Sequence, residues 1–473
     1  MIATKAAEKP SKSQLIPLGF AALLLIFAIV MPGFGALNRD MVKVIFLIFF
    51  AVVLWVTKPI PILASSLLVM ALQPLLGLVP SLAAALSGFT SPANYFVIAS
   101  FGFAFALQKT TLSNRLLKQL VAWSRGSTRL ITLSLMAVTY IVSMFISDIA
   151  AAVIMLAFAM DFSALIEDEK ERANVLKLMM IGIPIGSILG GTATPVGSSI
   201  NVMALNLMQQ HSGTVVPFMK WVALCLPVSA VALIFAWFIM TRFFKTAKLP
   251  ESKASQYTQI LQKSIDSLKS NNEPLIIGIL LITIFIWIIS SWIKALDATI
   301  VSIITLALLF LPGVNAFSWT EFKNKMSWEI PIMGASTISL GNLAVNKGLI
   351  ELIVNSVTET FRGIGMAGLV AIVGTLVTVL LIAIPVGPTM VSMLTIPSFL
   401  MAQALGLNSV AIVIVVGMFA SNSSILPLNA VMLVSYSKGA WKTSDLIPIG
   451  IILSVVWIIL SAIWIPIATA LVF

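Results

Sequence analysis

Long apolar runs alternate with short polar connections along this chain, and the runs are too long to be core segments of a soluble domain. Residues 15–31, 221–240, 274–293 and 447–473 each supply the roughly 17 to 25 mainly apolar residues that cross a bilayer as a helix. The pattern predicts an all-α polytopic membrane protein. Composition sharpens this: 59 % of the 473 residues are hydrophobic and 10 % are charged, more apolar surface than a water-soluble fold can bury. The first run follows Lys5, Lys9 and Lys12 and ends in Pro32-Gly33-Phe34-Gly35 rather than at a small-residue cleavage site, so it reads as a retained first span and not a signal peptide.

The net charge of +11 does not point to nucleic acid. Lys and Arg gather at the N-terminus, in 109–129 and in 242–269, as the positive-inside rule expects of cytoplasmic connections. The one cysteine, Cys225, allows no intramolecular disulfide framework and no cysteine metal cluster. The one histidine, His211, stands in the polar stretch QQHSGT and reads as a solvated turn residue.

The clearest boundary is the Lys-, Ser- and Gln-rich stretch 241–273, which divides the chain into a tail and first helix (1–40), a first repeat (41–240), a cytoplasmic linker (241–273) and a second repeat (274–473). The halves are faintly alike. FGFAFALQKTTLSNRLL (101–117) and GASTISLGNLAVNKGLIELIV (334–354) both pass from an apolar run into an amphipathic stretch, with Lys109 and Lys347 in similar places, and PVGSSINVMALNL and SILPLNAVMLVS place Asn201 and Asn429 in register.

The informative residues interrupt the apolar runs. ILGGTATPVGSSIN (188–201), AIPVGPTMVSM (383–393) and MFASNSSILPLNA (418–430) crowd Gly, Pro, Ser, Thr and Asn into membrane-depth positions. Backbone freed by Gly or Pro cannot face lipid unpaired, so such stretches lie inside protein or line a wet cavity. Half-helix N-termini there favour an anion, and the freed carbonyls can hold a small cation. Packing glycines between helices are the plainer alternative, which three breaks make less apt than one. No charged residue occurs in 178–219 or 363–437, so a substrate there is held by hydroxyls, amides, backbone and helix ends. In contrast, Asp148 is the one charged residue between Arg129 and Asp161.

With these landmarks the chain, from about residue 40 onward, resembles the divalent anion:sodium symporters, also called INDY-type dicarboxylate transporters. LWVTKPIPILASSLLVMALQPLLGL (54–78) is similar to that family's early Trp-Thr-Glu-Ala-Ile-Pro segment, and the GSSIN and LPLN turns to its Pro-Pro-Asn turns. The two Ser-Asn-Thr signatures correspond to Ser147-Asp148-Ile149 and Gly387-Pro388-Thr389. The resemblance implies two inverted repeats, about eleven spans, two re-entrant hairpins, a homodimer and an elevator mechanism. It implies substrate contacts from Ser147, Asp148, Ile149, Gly387, Pro388, Thr389 and Pro427. A first sodium site falls on Ser143, Ser147, Asp148 and Gly197, and a second on Ala383, Val386, Pro388 and Ile425, with Asn201 and Asn429 supporting the turns.

The departures from the signatures have chemical consequences. Pro388 replaces an Asn and removes an amide oxygen and an N–H, which weakens or deletes the second cation site. Asp148 puts a carboxylate where relatives carry an amide. It can bind a cation that bridges to substrate, carry a proton and donate a hydrogen bond, or cap the helix that follows it. The expectation is a transporter of the succinate, malate, fumarate and 2-oxoglutarate class that exchanges one dicarboxylate for another without sodium. The alternative is a sodium-coupled symporter of dicarboxylate or another divalent anion, and a transporter of another solute on this fold, such as sulfate or citrate, also stays open. No charge ring or filter motif favours a channel. Asp148 lacks the titratable companions an enzyme needs, and no cofactor is implied beyond Na+ or H+ coupling. A helical architecture places the chain in a cell or inner membrane rather than an outer one.

Overall fold

The computed structural model describes residues 12–473 except 147, 249, 294 and 295. In chain order the helices are α1 (Lys12–Val30), α2 (Arg39–Thr57), α3 (Ile62–Leu75), α4 (Leu82–Ala85), α5 (Pro92–Gln108), α6 (Leu112–Trp123), α7 (Thr128–Ser143), α8 (Asp148–Ser163), α9 (Glu169–Ala193), α10 (Ser199–Ser212) and α11 (Phe218–Phe243). They continue with α12 (Glu251–Leu268), α13 (Glu273–Ile289), α14 (Ala298–Leu309), α15 (Trp319–Lys325), α16 (Glu329–Asn346), α17 (Leu349–Thr358), α18 (Met366–Ala383), α19 (Gly387–Ala404), α20 (Ser409–Ala420), α21 (Ala430–Tyr436) and α22 (Thr443–Val472). Among the described residues there is no strand, only one isolated bridge between Phe34 and Leu37. Six helices there are long and apolar enough to cross a membrane: α2, the run Leu82–Gln108, α9, α11, α18 and α22. A seventh candidate is the pair Ser255–Leu268 and Glu273–Ile289, bent by 96°.

The chain forms two compact units. The first comprises Met1–Asn94 and Ser327–Phe361. Within it α1 packs on α2, and α16 packs on α3 and α2. Asn38 caps α2 by accepting the Met41 N–H at 2.9 Å, and Ser339 of α16 donates to Gln73 Oε1 at 3.0 Å and to the Ala85 carbonyl at 2.6 Å. Gly88 has to be glycine, because a Cβ there lies 2.0 Å from the Ala335 carbonyl oxygen. Lys347, just past the end of α16, pairs with Asp40 at 2.7 Å.

The second unit comprises Tyr95–Met326 and Arg362–Phe473. Its centre is α9, apolar on every side and therefore enclosed by other helices: 89 % of its spanning window is buried. Gly182, Gly186 and Gly190, four residues apart, let α7 approach closely, since a Cβ on Gly190 meets the Tyr140 carbonyl oxygen at 2.2 Å. Tyr140 fixes α7 to α11 by a 2.7 Å hydrogen bond between its hydroxyl and Ser229 Oγ, and Trp464 of α22 donates to the Ala223 carbonyl of α11 at 3.1 Å. Lys109, just past the end of α5, pairs with Glu321 at 2.8 Å. Lys109 and Lys347 thus hold the same position relative to their helices, each with an acid partner.

The stretch 241–273 contains a helix rather than open linker. α12 packs on α6 and α8: Tyr257 donates to the Phe158 carbonyl at 3.0 Å and Asn114 to Ser264 Oγ at 2.9 Å. Glu273, at the bend into α13, accepts the Thr111 N–H at 2.8 Å and its hydroxyl at 2.5 Å. Those bonds satisfy its buried carboxylate and set where the linker ends.

A reciprocal pairing runs through this unit. α10 packs on α19 and α20, while α21 packs on α8 and α9. Each short helix that follows a break therefore lies against the hairpin and the broken helix of the other half.

Candidate functional site

Two regions carry the groups singled out by sequence. In the first, α7 and α8 pack on each other and are joined by residues 144–147, and α9 stops at Ala193, with Pro195–Gly197 as a single 3-10 turn before α10. Pro195 cannot continue the helix, and Thr194 leaves it in extended conformation. Ser187 of α9 joins both arms of the hairpin: the Ser143 hydroxyl donates to its carbonyl at 2.7 Å, and its own hydroxyl donates to the Asp148 carbonyl at 2.5 Å. Thr194 donates to the Met144 carbonyl and accepts the Gly197 N–H at 3.1 Å. Asn201 donates to the carbonyls of Gly191 and Thr194 at 2.8 and 2.9 Å, satisfying oxygens that the break leaves open.

The expected residues of this half come together around Gly191. A Cβ built there lies 3.3 Å from Gly197 O, 3.5 Å from Asp148 Cβ and 3.5 Å from Ser143 Oγ. Ser147 lies outside the described residues. Asp148 is the first residue of α8 and half-buried. Its Oδ1 accepts the Ile149 N–H at 3.0 Å, where the helix dipole favours a negative charge. Ile149 follows it, also half-buried.

In the second region residues 384–386 join α18 to α19, and α20 and α21 are separated by residues 421–429. Ala383 ends α18, Val386 caps α19, and Pro388 is the second residue of α19, a position whose N–H has no helical partner in any case. Pro388 therefore costs the helix nothing but does remove a donor from its N-terminal turn. The N–H groups of Thr389 and Met390 both reach the Val386 carbonyl, at 3.0 and 3.2 Å. Gly387 sits where a Cβ meets Ile200 Cδ1 at 2.5 Å and the Ala420 carbonyl oxygen at 2.8 Å, so this tip abuts the end of α20 and the α10 helix. Thr389 is 2 % exposed, and its hydroxyl has no hydrogen-bond partner; the same is true of Thr395 two turns further on.

At the second break Asn429 caps α21, accepting the Met432 N–H at 2.7 Å, and donates back to the Ser423 carbonyl at 2.6 Å. Ile425 and Pro427 lie in this break, and Ser424 and Ile425 are pressed against Gly450 of α22. Two small cavities, each with room for about one water molecule, flank it and share Asn422 and Ser424. One also meets Thr378 and Ser454. The other meets Trp457, whose indole N–H is buried without a partner. Ser421 bridges the two breaks by donating to Asn201 Oδ1 at 2.9 Å.

Several of these groups carry no sequence signal of their own. Ser187 is a lone hydroxyl in an apolar run, and Ser421, Asn422 and Trp457 gain meaning only from their neighbours. Asn201 and Asn429, in register along the chain, differ in place: Asn201 is the third residue of α10, whereas Asn429 is the cap of α21. Both nonetheless tie up carbonyls of the preceding break. His211 lies not in a turn but in the last turn of α10, exposed, edge-on to Phe399 with ring centroids 5.7 Å apart. The helix runs on through it because Gly213 supplies the left-handed stop.

Comparison with known proteins comes down on one family. The profile described as "Sodium:sulfate symporter transmembrane region" matches residues 12–471. An "uncharacterized transporter" of Haemophilus influenzae is 25 % identical over 430 residues, covering 87 % of this chain and 88 % of that protein. The sodium-dependent dicarboxylate transporter SdcS of Staphylococcus aureus is 24 % identical over 365 residues, 73 % of this chain and 69 % of its own length. The inorganic phosphate transporter PHO87 of Saccharomyces cerevisiae is 23 % identical over 337 residues, 69 % of this chain, but this chain spans 35 % of it. Among solved structures, MtrF of Neisseria gonorrhoeae aligns with a TM-score of 0.57 at 13 % identity, covering 96 % of this chain and 95 % of its own. The Alcanivorax borkumensis YdaH transporter aligns with 0.52 at 13 %, covering 97 % and 99 %. At such identity these structures bear on fold alone.

Proposed function

We propose, from the premise that this chain belongs to the sodium:sulfate symporter family of multi-pass membrane transporters, that it exchanges di- or tricarboxylates across a cell or inner membrane without sodium. The observation that carries the reading is the Thr389 hydroxyl, buried and unpartnered in the first turn of α19 within a segment free of charge. A buried hydroxyl left unpaired is costly, and a carboxylate oxygen is a partner that a helix N-terminus also welcomes. Substrate contacts are assigned to Ser147, Asp148, Ile149, Gly387, Pro388, Thr389 and Pro427, and a cation to Ser143, Ser147, Asp148 and Gly197. Dicarboxylate as cargo draws on the name of the SdcS relative.

Sodium independence rests on the second region. Ala383, Val386, Pro388 and Ile425 offer no side-chain oxygen, and Pro388 offers no N–H. An exchanger needs no cation to let the empty carrier return, so a degraded site fits exchange. The reading includes two inverted repeats (41–240 and 274–473) joined by 241–273, about eleven spans, two re-entrant hairpins, a homodimer and elevator-type alternating access. The reciprocal packing of α10 and α21 supports the repeats. A second reading, sodium-coupled uptake of a dicarboxylate or another divalent anion, draws on SdcS and on the Gly197 carbonyl, Ser143 hydroxyl and Asp148 side chain gathered about Gly191; the phosphate transporter relative adds inorganic phosphate to its candidates.

Uptake into proteoliposomes separates the two. Preloading with succinate or 2-oxoglutarate should stimulate labelled dicarboxylate uptake whether or not a sodium gradient is present. Strong sodium stimulation with empty vesicles overturns exchange, and stimulation by loaded phosphate or sulfate in place of dicarboxylate reassigns the cargo.

A further inference from the structure

At the end of α11 the fold assembles five cations from two stretches of sequence, 125–129 and 242–248. Thr128 at the start of α7 donates to the Ala247 carbonyl at 2.7 Å, and Trp237 of α11 donates to the Arg129 carbonyl at 2.8 Å. These two bonds join the stretch that carries Arg125 and Arg129 to the one that carries Arg242, Lys245 and Lys248, and all five are exposed. Among the described residues none of the five is in an ion pair. One acid enters the patch: Glu171 accepts the Ala247 N–H at 2.6 Å, between Lys245 and Lys248, and offsets part of their charge, while Asp168 accepts the Glu171 N–H as the cap of α9. Arg242 lies over the Phe238 ring at 4.6 Å, and Trp123, Phe238 and Phe243 are exposed beside the cations.

Position gives this patch its partner. α11 is long and apolar enough to span a bilayer, so its last turn stands at a membrane–water boundary, where an exposed Trp and Phe sit among acyl chains and headgroups. We infer that Arg125, Arg129, Arg242, Lys245 and Lys248 bind the phosphate of an anionic phospholipid whose acyl chains lie against Phe238 and Trp123. Guanidinium groups suit a phosphate because they can donate two hydrogen bonds at once. Since the patch holds the start of α7, the bound lipid also braces the first arm of the α7–α8 pair.

The test is native mass spectrometry of the full chain titrated with phosphatidylglycerol or phosphatidylcholine. Each cation at an anionic membrane surface contributes about fivefold in affinity. The wild type should therefore retain phosphatidylglycerol, and Arg125→Gln/Arg129→Gln/Arg242→Gln should bind it about a hundredfold more weakly. The matching Arg→Lys triple should keep most of the affinity, which guards against misfolding as the cause, and Lys263→Gln on α12 should change nothing. Equal retention of both lipids by the wild type overturns the inference, as does undiminished binding by the Gln triple. Displacement of bound lipid by millimolar inorganic phosphate reassigns the patch to a free anion and overturns it too.

Discussion

The two break regions are built from the same kinds of residue and use them differently. In the first, the hydroxyls of Ser143, Ser187 and Thr194 and the amide of Asn201 each bond a carbonyl of the hairpin or the broken helix, so these side chains are spent on holding the break in place. In the second, Thr389 and Thr395 have no partner, and Asn422 and Ser424 face two water-sized cavities. A satisfied network fixes geometry, while an unsatisfied one leaves donors for a ligand. The hydroxyls and amide named in the first region are thus bound to backbone, whereas Thr389 in the second keeps a hydroxyl without a protein partner.

Glycine substitutions probe this contrast most strongly. A Cβ on Gly197 meets only backbone, 2.7 Å from Gly191 O and 2.8 Å from Ser143 O, whereas one on Gly387 meets the movable end of Ile200 as well as Ala420 O. Gly197→Ala should cost about 3 kcal/mol, and Gly387→Ala nearer 1 kcal/mol. Heating followed by size-exclusion chromatography in detergent checks the ranking, and equal losses remove the claim that the first region is the rigid one.

Asp148→Asn comes next. If the carboxylate holds a cation or a proton during exchange, loss of a charge-assisted interaction worth about 1.5–3 kcal/mol should slow exchange by tenfold to a hundredfold and flatten its pH profile. Unchanged exchange and pH profile leave only the capping role that the Ile149 bond supports.

Thr389→Val and Ser187→Ala form a smaller, opposed pair. Thr389→Val removes a hydroxyl with no protein partner, so melting should not fall, while substrate affinity should drop by about tenfold, the equivalent of one hydrogen bond. Ser187→Ala breaks a bond between α9 and the hairpin and should lower stability by about 1 kcal/mol with little effect on substrate affinity. A reversed outcome exchanges the roles given to the two regions. Smallest of all, Trp457→Phe relieves an unpartnered indole N–H, a gain of about 1 kcal/mol, and leaves a gap in a fully buried site, a loss of about the same size, so the melting temperature should hardly move.

Much of this was legible along the chain. The apolar runs at 221–240 and 447–473 appear within α11 and α22, and the Gly/Pro clusters at 188–201 and 418–430 are where α9 and α20 stop. These features depend on local chemistry alone: lipid demands apolar length, and Pro or Gly frees backbone wherever it stands. The stretch 241–273 was legible as polar but not as a helix docked on α6 and α8, because its anchors, Tyr257 to Phe158 and Thr111 to Glu273, join residues far apart in sequence.

The amino-acid sequence by itself determined that this is a many-helix membrane protein and where its helices break, with Asp148 and Pro388 standing beside two of those breaks. Only the tertiary structure decided which of the breaks' polar groups are satisfied. Thr194 and Thr389 are the same residue, each beside a helix interruption, yet one finds the Met144 carbonyl and the other finds nothing. Whether a hydroxyl has a partner depends on which backbone another segment brings to within about 3 Å of it, and that distance is fixed by packing.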